Sequence, residues 1–344
     1  MNVQCSLLLW LTTVVISTVR LTAQDPGPLA PFHPPSNNTQ TLRIWGNRHM
    51  AGLAHEWAKG FQTLHPGIAF DIKLLGNGTG MSALYTGVAD LALFGRDTIV
   101  TDNDGFAHVL NYKPLRIELG TGSLDAPGKS SALVIFVHRD NPIVRLTLSQ
   151  LDAVFGCERR RGAPSVLRTW GDLGLTGEWA NQPIHLYGDD TQSASGLFFQ
   201  HAVLNDSRKM NWECFTEFKD IKQSDGTVLV AAQQSAGALQ MDRYGLAVSN
   251  LHFASPGVKV VALAANQGET FLIPTKETLI ARNYPLARAI FACANQPPGQ
   301  QLDPKVQEFL RYILSSAGQQ DIEREGSYLP LSAVGIREQL AKLP

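Results

Sequence analysis

The chain has 344 residues, of which 44% are hydrophobic and 17% charged, with a formal net charge of −1. That length allows roughly two domains of ~150 residues and a sizeable buried core. The balanced charge excludes the basic footprint of a nucleic-acid binder and any polybasic membrane patch, and 30 Gly with 19 Pro exclude a collagenous or low-complexity chain.

Residues 7–19 (LLLWLTTVVISTV) are apolar and uncharged. The run has the length of a signal-peptide core and is too short to span a bilayer comfortably. With small Ala23 as a cleavage point, it predicts a signal peptide over residues 1–23; a buried N-terminal helix is the alternative. A Pro-rich tether over residues 24–40 follows, carrying Pro26, Pro28, Pro31, Pro34 and Pro35. The expectation is export as a soluble periplasmic or secreted protein. Cys157, Cys214 and Cys293 remain after the leader, and no CxxC spacing supports a metal. Cys157 and Cys214 either form a disulfide or stay as free thiols.

Residues 42–45 (LRIW) read as a strand, and Leu53, Trp57, Phe61 and Leu64 recur at helical spacing until Pro66-Gly67 stops the helix. Residues 68–75 alternate as a strand, Met81, Leu84, Tyr85 and Val88 share a helical face, and residues 91–94 (LALF) form the next strand. This β-α-β-α-β order predicts an α/β domain with a largely parallel sheet. Residues 133–137 read as a strand, Thr147 and Gln150 as a capping box, and residues 156–175 as a loop. Further strands are expected at 184–187, 244–248 and 258–264, and helices near 197–204 and 228–232. A last strong helix starts at the Asp303-Pro304 cap.

Three junctions share one design: residues 46–50, 76–80 and 189–195 each run from a strand end through a small polar loop into a helix. Helix N-termini present unpaired amides and partial positive charge, so they suit anions. In open α/β sheets, ligands sit beyond the carboxyl ends of strands, where these loops lie. Met81 stands where a dinucleotide fingerprint needs its third Gly, and no phosphate-loop GxxxxGK[ST], GxSxG elbow or HExxH helix occurs. No cofactor or metal is therefore expected.

The run from LRIWGNRHMAGLAHEWAKGF through GNGTGM to ADLALFGRD, with the later blocks LTLSQLDAVFG, YGDDTQSASGLFF, DRYGLAV and NYPLARAIF, resembles the phosphate-binding proteins of bacterial ABC transporters. These are bilobed periplasmic receptors of the type 2 class, and the resemblance spans about residues 41–331. It implies an α/β fold of two lobes, each a mixed, mostly parallel sheet flanked by helices, joined by two crossing strands. We place the first lobe at residues 41–133 and 251–344 and the second at 134–250. The resemblance assigns ligand contacts to Asn47 and Arg48 after the first strand, to Thr79 and Gly80 in the Gly-rich loop, to Arg96 after the third strand, and to Ser193 and Ser195 of the SGT-like loop.

Two departures stand out. Asp189 occupies the position where the family commonly carries an Arg, and Gly95 stands where the family has the acid that accepts the phosphate proton. A carboxylate ~4 Å from a dianion costs several kcal/mol at an effective dielectric of ~20, and Arg96 is the candidate replacement cation. The resemblance thus predicts a non-enzymatic, monomeric receptor that captures phosphate or a similar oxyanion and delivers it to an ABC permease. The alternatives are an extracellular interaction or sensory module with the same fold, and an exported phosphohydrolase, for which no nucleophile–base pair is visible.

Overall fold

The computed structural model describes residues 41–344; the expected signal peptide and tether lie outside the described residues. The first half of the chain forms β1 (Thr41–Gly46), α1 (Ala51–Leu64), β2 (Ala69–Lys73), α2 (Asn77–Tyr85), β3 (Leu91–Phe94), α3 (Val100–Leu110), β4 (Leu115–Thr121), β5 (Val134–His138), β6 (Arg145–Thr147) and α4 (Leu148–Phe155). Then come β7 (His185–Asp189), α5 (Ala194–Ala202), β8 (Phe215–Phe218), β9 (Ile221–Lys222), β10 (Val228–Leu229), α6 (Ala231–Gln240), β11 (Gly245–Ser249), β12 (Val258–Val260) and β13 (Ala262–Ala264). The chain ends with α7 (Lys276–Ile280), β14 (Ala289–Ala294), α8 (Pro304–Ile313), α9 (Ser316–Glu325) and α10 (Ala333–Leu340).

Two five-stranded mixed sheets organise these elements, in the orders β2-β1-β3-β14-β4 and β12-β5-β11-β7-β8. In the first, β1, β2 and β3 are parallel, and β14 enters antiparallel to both β3 and β4. In the second, β11, β7 and β8 are parallel while β5 runs antiparallel to β11 and β12. Each sheet has its own core. Leu53, Trp57 and Phe61 of α1 pack with Phe309 and Ile313 of α8 on the first; Val154, Phe155, Trp170 and Phe199 pack on the second. The expected stop of α1 is present at His65, and Thr147 and Gln150 make the expected capping box.

The chain crosses between the sheets over residues 122–133 and 265–288. The two crossings are bonded to each other: Gly122 N donates to Arg288 O at 2.8 Å, Leu133 N to Leu286 O at 3.2 Å, and the buried Tyr284 hydroxyl to Leu133 O at 3.0 Å. The return crossing falls later than the sequence places it. β12 pairs with β5, and Val261, Leu263, Leu279, Tyr284 and Leu286 join the second core, so residues 251–288 pack with the second lobe rather than the first. A strand's own pattern states that it is buried, not in which sheet.

Two local expectations also change. The run at 258–264 breaks at Val261 into strands of two different sheets, and residues 228–229 are extended, with the helix starting at Ala231. Cys157 and Cys214 carry free thiols, Cys157 Sγ lying 3.4 Å from Met210 O.

Candidate functional site

Between the sheets lies a cleft of about 740 Å³, and all three strand–loop–helix junctions open onto it. At the first, Gly46 has φ +136°, and a Cβ there would strike the backbone of Leu93, so only glycine ends β1 alongside β3. Asn47 then caps the next turn, its Oδ1 accepting from His49 N at 2.7 Å, and exposed Arg48 reaches the cleft rim. At the second, Gly76 N donates to Gly46 O at 2.8 Å, and Asn77 Oδ1 accepts from Gly95 N at 3.1 Å. At the third, Ser193 caps α5 by accepting from Gly196 N at 3.0 Å. Asn77 at the start of α2, and Ala194 and Ser195 at the start of α5, thus line one cavity from the two sheets, where helix starts leave amides without helical partners.

Asn47, Arg48, Asn77, Ser193 and Ser195 of those junctions all line the cleft, so the expected Asn47, Arg48, Ser193 and Ser195 are brought together. Thr79, Gly80 and Arg96 are not among the lining residues. Thr79 Oγ1 donates to Gly76 O at 2.8 Å, which shapes the turn into α2. At Gly80, a Cβ would lie 3.2 Å from Ala92 and 3.3 Å from Gly46, so the glycine lets α2 settle on the sheet. The Arg96 guanidinium is turned aside, donating to Asp102 Oδ2 at 2.6 Å and Asp97 O at 2.7 Å, and it borders a smaller neighbouring cavity. The expected replacement cation is committed to the start of α3.

Arg288, at the end of the return crossing, lines the cleft instead and is only 6% exposed. Its Nη1 donates to Ser195 Oγ at 3.2 Å, and its Nη2 to Gly95 O at 3.3 Å and Ala194 O at 3.5 Å. Its Nε has no partner among the described residues, and its guanidinium carbon stands 5.4 Å from the centre of the Phe198 ring. Burial pulls its pKa down to about 10, against the attraction of Asp189, so it stays charged at neutral pH.

Three carboxylates share the cleft. Asp190 Oδ1 accepts from Gln192 N, and Asp220 Oδ1 from Ala231 N at the start of α6, both at 2.9 Å. Asp189 is different: its Oδ1 is buried without a partner. Burial, reinforced by Asp220 and Asp190, raises its pKa to about 6, while a hydrogen bond from Ser195 and the charge of Arg288 oppose the rise. Gly95 is required by close approach, since a Cβ there would overlap Asn47 Nδ2 and lie 2.9 Å from Ser130 Oγ. An acid at 95 has no room, and Asp189 supplies a carboxylate from the other lobe.

Sequence reasoning missed Arg288, Ser130 and Lys219 of this cleft. The signal for Arg288 is a lone charge inside the apolar run of NYPLARAIF: an arginine flanked by core residues is buried, and a buried arginine needs partners.

A family model described as the PBP superfamily domain matches residues 33–317. Phosphate-binding protein PstS of Pseudomonas aeruginosa is 31% identical over 312 residues, covering 90% of this chain and 89% of that protein. Among solved structures, PstS from Borrelia burgdorferi superposes with a TM-score of 0.57 at 17% identity, covering 86% of this chain and 100% of that one. An ABC-type phosphate transport receptor from Vibrio cholerae gives 0.55 at 16% identity, covering 84% and 99%.

Proposed function

From the premise that this chain belongs to the PBP superfamily and, within it, to the PstS phosphate-binding proteins, we propose that its interlobe cleft captures inorganic phosphate for delivery to an ABC importer. The family is one of transport receptors, and the protein is not an enzyme. The observation that carries the ligand assignment is the convergence of the Asn47–Arg48, Gly76–Asn77 and Ser193–Ser195 junctions on one cleft.

Together the junctions offer what a tetrahedral oxyanion needs: helix-terminal amides, the Ser193 and Ser195 hydroxyls and partial positive charge. Closing the cleft removes water, which strengthens every one of these bonds through the lower local dielectric. A ligand held by both lobes binds the closed form better than the open one, so occupancy shifts the population toward closure. The closed form is what a membrane permease would read. Among the described residues no helix is long and apolar enough to cross a membrane.

The test is isothermal calorimetry on protein unfolded, dialysed and refolded to strip bound anion, then titrated with phosphate. Saturable micromolar or tighter binding is the expected result. Absence of heat with phosphate overturns the assignment.

A further inference from the structure

We infer that Arg288 is the cation that neutralises the bound anion, and that it does so from the return crossing while holding both lobes; this rests on the phosphate reading above. The other cations of the cleft are poorly placed to be desolvated. Arg48 is exposed, and the Lys219 side chain is 67% exposed with its Nζ 3.8 Å from Asp190. Arg288 alone among the described cations lining the cleft is buried.

The way Arg288 is held suits it to an anionic ligand. A buried guanidinium is normally paired with a carboxylate, because removing an ion from water costs several kcal/mol even after relaxation. Here the direct partners are all neutral: a hydroxyl and two backbone carbonyls. No carboxylate lies within ion-pair distance among the described residues; Asp189 is reached only through Ser195. One donor, Nε, has no partner at all. A positive charge kept this way, on neutral partners and lining the cleft, is suited to an anion entering it.

The position of Arg288 adds a consequence. Gly95 belongs to the loop after β3 in the first lobe, whereas Ala194 and Ser195 open α5 in the second. One guanidinium at the hinge therefore spans the cleft floor. An anion that settles against it meets bonds from both lobes at once, so affinity and closure depend on the same side chain.

The experiment follows the Arg288 Nε–Hε resonance of uniformly ¹⁵N-labelled, stripped wild-type protein, assigned through bonds, during a phosphate titration. It is paired with calorimetry on wild type and Arg288→Lys. The expected result is a shift of that resonance saturating with the calorimetric midpoint, and a loss of affinity of about tenfold or more in the folded lysine variant, which keeps the charge but not the fork of donors. Phosphate heat in the wild type with a stationary resonance overturns the role of Arg288 and leaves the phosphate reading intact. Neither heat nor shift overturns both. If Arg288→Lys does not fold, the wild-type resonance decides alone.

Discussion

Arg288 and Asp189 share one hydroxyl: Ser195 Oγ accepts from Arg288 Nη1 at 3.2 Å and donates to Asp189. The two charges come from segments about a hundred residues apart, the return crossing and the end of β7.

Replacing Ser195 with Ala removes the shared atom. Arg288 Nη1 loses its acceptor and Asp189 its donor, and leaving a charged group without its hydrogen bond costs about 1.5–3 kcal/mol. Part of that falls on the apoprotein and part on the complex. The expected outcome is a lower melting temperature together with weaker phosphate binding, read by differential scanning calorimetry and titration. Unchanged affinity would remove Ser195 from the site.

Asp189 makes a pH prediction whose sign is opposite to that of a salt-bridged carboxylate. Its folded pKa stands at about 6 against an ordinary 3.8, so the folded state holds the proton more tightly than the unfolded one. Stability therefore falls as pH rises from about 4 to about 6, by on the order of 2–3 kcal/mol, and stays lower above that window. Asp189→Asn keeps an acceptor for Ser195 and abolishes the penalty. Denaturant unfolding at pH 4 and pH 7.5 should show a smaller loss of stability in the variant than in the wild type; equal losses would place the penalty elsewhere.

Gly95 is expected to tolerate no side chain. A Cβ overlaps Asn47 Nδ2 and approaches Ser130 Oγ, the hydroxyl that donates to Gly95 O at 2.5 Å. Gly95→Ala should disturb Asn47, and with it the first of the turns that line the cleft, weakening phosphate binding by about tenfold through misplacement alone. Binding at wild-type strength would show that Asn47 moves freely.

Arg96→Ala separates structure from binding. The guanidinium engages Asp102, whose Oδ2 also accepts from Ile99 N at 3.0 Å, so its loss leaves a partly buried carboxylate short of a partner at the start of α3. Losing such a charged hydrogen bond costs about 1.5–3 kcal/mol. The expected result is a destabilised protein with phosphate affinity close to wild type. A large affinity loss at unchanged stability would return Arg96 to the ligand.

Tyr284→Phe tests the hinge. The tyrosine is fully buried, and its hydroxyl ties the return crossing to Leu133 of the outgoing one. Losing that bond and leaving Leu133 O unpaired costs about 1–2 kcal/mol. Global stability should fall accordingly, as measured by equilibrium denaturation, and amide exchange in both crossings should quicken. Exchange confined to one crossing would mean that the two move independently.

Much of this architecture is written locally. The apolar face of Leu53, Trp57 and Phe61, the stop at Pro66-Gly67, the Thr147–Gln150 box and the Asp303-Pro304 cap each act within a few residues. Their consequences are readable wherever the motif stands, because capping and periodicity depend on neighbours along the chain. The three strand–loop–helix junctions belong to the same class, being strand ends that turn directly into helix N-termini.

What only the tertiary structure decided is which elements and charges meet. β14 lies between β3 and β4, almost two hundred residues from β3, and nothing in its pattern names those partners. Arg96 and Arg288 are both arginines near strand termini, yet Asp102 claims the first and the cleft receives the second. The energy of a charge is set by the distance and burial of its partners, and those are properties of the folded chain, not of its order.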